Sequence, residues 1–529
     1  MNPVRDRFLR YARAQWQRVL TQMDRDPDSP TFGCFDRYYW HYKIHDFPSA
    51  LLQQGVFTLE ALRTGVLGEA PPAGCLESWC VAAVNALARQ ANRNGGVDEH
   101  YPFENSYPSA AFGLHAAASV LTCWQTAAPD LLARIDWSGL ERLARHLASR
   151  AESQAANQQA AGLAALALAS RFPRLNVAQD VVLRLAKCFF GAQREEGWFE
   201  EYGGPDFGYL SVTLDALADY FDATGDERAE KASDRAIAFL ASLVGCDGQL
   251  PWTLNSRNTD YVVPYGLARR AAANPVASWL LHLLFGQVDD AGQHFLWATD
   301  DRYHLHYIYA SVVRAIPHLD NVLPPAAPEQ PHLLWLPGCG YWVRREAHWT
   351  LYVGANKGGL VRLHRDGHRL ALADHGWRMR RGARLWSTNW WTPERRAEVT
   401  DASIRIAGRA QRMAYLLSSP LKHGVLRLAS WLLRERLIPL LKRFMIFRPG
   451  GPRGPAYLRL VELTGRGVRI TDHLRRAPGV KARRSPRRNL RHVASADSFS
   501  REDWLQEESE ETFALDEDLT VSVEWPLHY

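Results

Sequence analysis

A chain of 529 residues that is 47% hydrophobic, 11% aromatic and 23% charged can bury a large core spread over two or three domains, which excludes a disordered or fibrous protein. No run of 18 or more uncharged apolar residues occurs, which excludes an ordinary membrane-spanning helix. The net charge of +6 is unevenly held: residues 419–491 carry 19 Lys/Arg against 3 Asp/Glu, and the rest of the chain carries 44 against 54.

The opening MNPVRDRFLRYARAQWQRVL sets Phe8, Leu9, Ala12, Trp16, Val19 and Leu20 on one side of a basic helix. It has neither a continuous apolar core nor a small-residue cleavage site, so a secretory leader is not expected. Seven scattered cysteines, odd in number and without a CxxC pair, suit a reduced cytoplasmic protein. No cluster of zinc or calcium ligands stands out, and no cofactor is expected. Nineteen tryptophans exceed ordinary usage and fit either a carbohydrate cleft or an aromatic core.

Helix follows helix through the first part of the chain. Residues 5–24, 47–64, 76–93, 107–124, 137–154, 157–171, 175–191, 209–223, 227–244, 273–286 and 302–316 each carry an apolar stripe near the 3.6-residue period. Turns such as Asn94-Gly95-Gly96 and Thr224-Gly225-Asp226 separate them. Serial helices predict a solenoid or a closed α/α toroid, and the absence of a fixed-period motif favours the toroid. Among them GWFEEYGGPDFGYLSVTLDALADY (197–220) sets adjacent carboxylates, a Gly-Gly-Pro turn and two tyrosines just before an apolar helix, the pattern of a site loop. The pair His304 and His306 in HLHY would point apart on a helix.

The Pro-rich stretch NVLPPAAPEQPH (321–332) closes the helical half. The expected domains are a toroid over 1–325, a linker over 326–332 and a β domain over 333–529. Beyond the join, HWTLYVGA (348–355), ASIRIAG (402–408), AYLRLVELT (456–464), VRITDHL (468–474) and LTVSVEW (519–525) alternate apolar and polar residues as half-buried strands do. The fold class is therefore α+β multidomain, an N-terminal α/α toroid followed by a C-terminal antiparallel β-sandwich. Residues 421–447 interrupt the strands with one basic apolar helix, carrying Leu426, Leu433, Leu437, Leu440 and Phe444 at helical spacing and Pro439 within it. Such a helix suits peripheral attachment to the inner membrane, or an insertion packed against the sandwich or the toroid. The run 475–492 holds eight Lys/Arg and no acid, and grips a polyanion or is balanced by the nine carboxylates of 502–518. No nucleic-acid motif accompanies it, so nucleic acid is not an expected partner.

Five phrases, DRYYWHYKIHDFP (36–48), YPFENSYPSAAFGLH (101–115), AANQQAAGLAALALA (155–169), GWFEEYGGPDFGYL (197–210) and SRNTDYVVPYG (256–266), together with the domain order, resemble the heparinase II/III-like family of polysaccharide lyases and lyase-like proteins. More narrowly the chain looks like members encoded with capsule, exopolysaccharide or O-antigen genes. The resemblance implies β-elimination beside a uronic acid, in which a carboxylate is neutralised and a base and an acid are supplied. It implies Asn157, beside Gln158, as the group bonding the substrate carboxylate, whereas the residues alone also allow Asn157 to be a helix N-cap. It implies Tyr209 as acid or base with Tyr202 in reserve, and Arg257 as helper or carboxylate clamp. Glu200, Glu201, Asn258, Glu104, Asn105 and Lys357 complete the expected substrate-binding set, with Tyr107 beside the last loop pair. The family's sandwich histidine is missing: Lys357-Gly358-Gly359 stands there, with His364, His368 and His375 nearby. An anionic polysaccharide is the expected partner. The rival readings are a glycoside hydrolase using Glu200 and Asp206, and a non-catalytic glycan-binding component of envelope polysaccharide biosynthesis.

Overall fold

A computed structural model describes residues 2–68, 70–286, 294–392, 396–413, 417–442, 453–485, 498–499 and 511–527. Its helices are α1 (Pro3–Leu20), α2 (Arg37–Trp40), α3 (Val56–Arg63), α4 (Ala73–Gln90), α5 (Tyr107–Ala127), α6 (Pro129–Leu132), α7 (Trp137–Ala148), α8 (Ala156–Ala169), α9 (Gln179–Gly191), α10 (Phe207–Thr224), α11 (Glu227–Ala241), α12 (Tyr265–Ala271), α13 (Pro275–Gly286), α14 (Asp301–Tyr303) and α15 (Tyr309–Ala315). The last helical turn of this half ends at Asn321 and the first strand begins at Leu333.

Six helices close an inner ring. α3 packs on α5, α5 on α8, α8 on α10, α10 on α12 and α12 on α15, and α15 returns to α3. That closure distinguishes a toroid from a solenoid, whose first and last helices stay apart. Outside it, α4, α7, α9, α11 and α13 each lie against an inner helix. The sequence explains the division. α8 buries 12 of its 14 residues, as a helix covered all round must. Its Gly162 lets α5 approach so closely that a Cβ there would fall 2.2 Å from the Tyr107 hydroxyl. The outer α7 instead buries a stripe of Leu140, Leu143, Ala144 and Leu147. Two expected helices differ in detail: 47–64 divides into a 3-10 segment (Ala50–Gly55) and α3, and 302–316 contains a π-helical turn over His304–Ile308.

The second half builds three five-stranded antiparallel sheets among the described residues. β1 (Leu333–Leu336), β2 (Tyr341–Glu346), β3 (Trp349–Gly354), β4 (Leu360–Arg365) and β5 (His368–Asp374) form a meander. Trp342, Leu351 and Val353 from it share a core with Ile404, Ile406, Val461 and Ile470, giving two apposed sheets. Arg459 is buried there, bonded to Asp472 at 2.7 and 2.8 Å and to Asp374 at 2.8 Å. The strand Leu519–Pro526 alternates half-buried and exposed residues along its whole length, the period that its sequence shows.

The single helix expected over 421–447 is two, α16 (Pro420–Leu433) and α17 (Leu437–Lys442). The break falls at Arg434, whose φ of 48° is left-handed, while Pro439 sits in the first turn of α17, where its missing N–H costs little. Residues 443–447 lie outside the described residues. α16 and the turn after it dock on the helical half: Arg427 meets Asp46 at 2.7 and 2.9 Å, Ser430 Oγ donates to the Pro102 carbonyl at 2.5 Å, and Glu435 accepts from Asn105 at 3.3 Å. In the basic run, Arg475 and Arg476 bond Asp518 at 2.7 and 2.6 Å, so the acidic stretch meets them. Residues 486–492 of that run lie outside the described residues.

Candidate active site

Three segments of the inner ring meet at the face turned toward the β domain. The first is the start of α8. Asn157 is its second residue and not its cap, which is Ala155. Its backbone N–H donates to Glu201 Oε1 at 2.6 Å and its Nδ2 to Glu201 Oε2 at 2.8 Å. Both residues are 1% exposed. Burial, with Asp206 adding to it, pushes the Glu201 carboxyl up to about 8 against the two bonds from Asn157. Asn157 Oδ1 and Gln158 Oε1 are buried amide oxygens with no hydrogen-bond donor among the described residues.

The second segment is the loop before α10. Backbone bonds stitch it to the first: Ala156 N–H to the Glu200 carbonyl at 3.1 Å and Tyr202 N–H to the Gln154 carbonyl at 2.8 Å. Tyr202 holds a φ of 55°, a left-handed conformation that an aromatic residue adopts only when its surroundings impose it. Its hydroxyl accepts from Gln158 Nε2 at 3.3 Å. Asp206 caps α10, accepting from the Tyr209 N–H at 3.1 Å and the Thr259 N–H at 3.3 Å. Tyr209 is buried, and burial raises its hydroxyl well above the usual tyrosine range, with Arg257 pulling the other way. Glu200 turns outward to Arg194 at 2.5 Å.

The third segment is 255–260. Arg257 lies with its guanidinium carbon 4.2 Å from the centre of the Tyr202 ring, close enough for cation–π attraction. Ser256 Oγ donates to the Glu201 carbonyl at 2.8 Å and Asn255 Nδ2 to the Thr259 carbonyl at 2.7 Å, fixing the loop. Asn258 is left-handed, with a φ of 60°. Lys357, from the turn between β3 and β4, reaches across to bond the Asn255 carbonyl and the Asn258 side chain. Trp391 Nε1 donates to the Gly203 carbonyl at 2.9 Å, and its ring lies so close to Gly204 that a Cβ there would stand 2.1 Å away. The β domain thus clamps the site loops from one side.

Asn157, Gln158, Glu201, Tyr202, Tyr209, Arg257, Asn258 and Lys357 therefore belong to one neighbourhood. Glu104 and Asn105 bond other partners. Glu104 accepts from the Glu99 and His100 N–H groups at 3.1 and 2.8 Å, and burial together with Glu99 lifts its carboxyl to about 7. Asn105 bonds Asn92 and Glu435, so this loop serves the α16 dock. Of the sandwich histidines, His364 is buried with Nδ1 2.9 Å from Asp247 and Nε2 accepting from Arg362 at 3.2 Å, so both ring nitrogens are engaged away from Tyr209. The side chain of His368 lies outside the described residues, and His375 is buried after β5. Tyr303 and Tyr307 join the site unannounced by sequence: their rings stack at 6.0 Å, and Tyr307 meets Tyr209 edge-on at 6.2 Å. The π turn brings them there, and a π turn is a common mark of a functional segment. His304 and His306 do point apart, one toward Tyr11 and the other toward Phe112 and Gln54.

No protein-family model matches the sequence, and no curated protein does. Solved structures do match. A xanthan lyase from Paenibacillus superposes with a TM-score of 0.51 at 9% identity, over 91% of this chain and 46% of its own. The chondroitin AC lyase of Streptomyces coelicolor A3, solved with chondroitin sulphate, gives 0.51 at 12% identity, over 90% of this chain and 67% of its own. Heparinase III gives 0.43 at 9% identity, over 82% of this chain and 63% of its own. This chain spans less than half the length of the xanthan lyase. At these identities the likeness is one of fold, and the fold is that of the polysaccharide lyases, a helical toroid followed by an antiparallel β domain.

Proposed function

We propose that the protein acts on a uronic-acid-containing anionic polysaccharide by β-elimination. The observation that carries this reading is the convergence of an amide (Asn157), a cation (Arg257) and two phenols (Tyr202, Tyr209) from three separate loops. β-Elimination removes the proton next to a carboxylate while the C–O bond to the next sugar breaks, and the departing oxygen takes up a proton. The carboxylate must be bonded for its neighbouring proton to leave, a task for the Asn157 amide and the Arg257 guanidinium. Tyr209, whose hydroxyl keeps its proton, serves as the acid for the departing oxygen. Tyr202, half-buried under Arg257, serves as the base. Glu201 positions Asn157 and does not touch the substrate in this scheme.

The hydrolase pair finds no support, because Asp206 spends its oxygens on backbone N–H groups and Glu200 faces Arg194. Purified protein incubated with uronate-containing glycans is expected to yield unsaturated uronates, seen by near-ultraviolet absorbance and by mass spectrometry. Tyr209→Phe and Tyr202→Phe are each expected to lower the rate by about a hundredfold or more, the usual scale for losing a general acid or base. Ordinary reducing ends without unsaturation would replace the lyase with a hydrolase. Glycan binding without turnover, unchanged in Tyr209→Phe, would leave the non-catalytic reading.

A further inference from the structure

The outward face of α16 is apolar where a surface helix is normally polar. At about 100° per residue, Leu421, Val425, Leu428 and Leu432 fall within one narrow arc, Trp431 borders it, and Ser430 lies on the opposite side. Ser430 is buried against Pro102, whereas Leu421 is 78% exposed, Leu432 64% and Val425 61%. The helix has turned its few polar contacts inward and its hydrocarbon outward. Lys422 stands on one shoulder of the arc, Arg427 lies toward the docked side with Asp46, and Arg434 and Arg436 follow at the end of the helix. Glu435 is the one acid between Pro420 and Lys442, and it faces inward to Asn105 and Arg150. The docking contacts are flanked by further exposed apolar groups, Ile44 near Asp46 and Phe103 next to Pro102.

We propose that this face of α16 lies in the interfacial layer of an anionic lipid bilayer, with its leucines among the acyl chains and its cations among the headgroups. Charge decides the occupant. A second copy meeting this one about a two-fold axis would bring Lys422, Arg434 and Arg436 against their own copies, whereas anionic headgroups match them. A bordering tryptophan is the side chain that settles at the water–hydrocarbon boundary. No helix among the described residues is long and apolar enough to cross a membrane, so the helix lies on the surface.

Co-sedimentation of the full chain with vesicles of phosphatidylcholine alone, and of phosphatidylcholine mixed with phosphatidylglycerol, tests this. Binding is expected to the anionic vesicles, weakening as salt rises and falling about tenfold or more in the Val425→Ser/Leu428→Ser double variant. The thermal melt of that variant should match the parent, since neither side chain is buried. Absence of binding to anionic vesicles, or equal binding by parent and variant, overturns the proposal. So does a concentration-dependent dimer, seen without lipid by sedimentation velocity and abolished by the same variant.

Discussion

Two carboxylates of the inner ring are equally hidden from water and are in opposite states. Asp219 of α10 meets His115 at 2.6 Å, the Tyr265 hydroxyl at 3.0 Å and the Arg314 guanidinium. Burial works to raise its carboxyl, but Arg314 and then His115 outweigh it and hold the group well below the usual carboxylate range. Glu201 receives only neutral donors from Asn157, and burial lifts it to about 8. A buried acid with a cation is a fixed charge that ties helices together. A buried acid with an amide keeps a proton near neutral pH and can exchange it.

The largest effect is expected at the first. Asp219→Ala leaves Arg314 and His115 buried without their acceptor and should cost about 3–5 kcal/mol in denaturant unfolding. The second carboxylate should reveal itself through pH. Its folded value lies above the unfolded 4.5, so its contribution is fully present below about 4.5 and is lost as pH rises through about 8. The difference in stability between the parent and Glu201→Gln should therefore shift by up to a few kcal/mol across that window, at about 1.4 kcal/mol per pKa unit. Asp219 has the opposite sign: its contribution is present above about 3.8 and is lost as pH falls below it. Lys357→Met should cost about 1–3 kcal/mol, because the Asn255 carbonyl and the Asn258 side chain lose a buried donor. It should also raise hydrogen exchange in 255–260 before it raises exchange in α10. The smallest effect belongs to Ser256→Ala, about 1 kcal/mol for one neutral bond to the Glu201 carbonyl.

The fold is legible where one period dominates. Leu519–Pro526 shows its alternation residue by residue, and α8 shows its inner position through alanine on every side. The site is legible in part, because Asn157, Tyr202, Tyr209 and Arg257 stand in phrases that resemble a known family. What escapes the sequence depends on distance along the chain. Asp219 finds His115 across 104 residues and Arg314 across 95, and no periodicity links them. α12 is seven residues long and follows a proline, too short for a stripe to emerge. The break in 421–447 goes to Arg434 and not to the visible proline, since a left-handed residue leaves no mark in composition.

The π turn over His304–Ile308 has a genetic consequence. A π turn amounts to one residue more than a regular helix needs, so a single-codon deletion within it would restore an unbroken helix from α14 to α15. The helices on either side would keep their phase, because the π turn already absorbs the extra residue. Tyr303 and Tyr307 would still share a face, three residues apart, but the local widening that sets Tyr307 against Tyr209 would be lost while the helix itself became more regular.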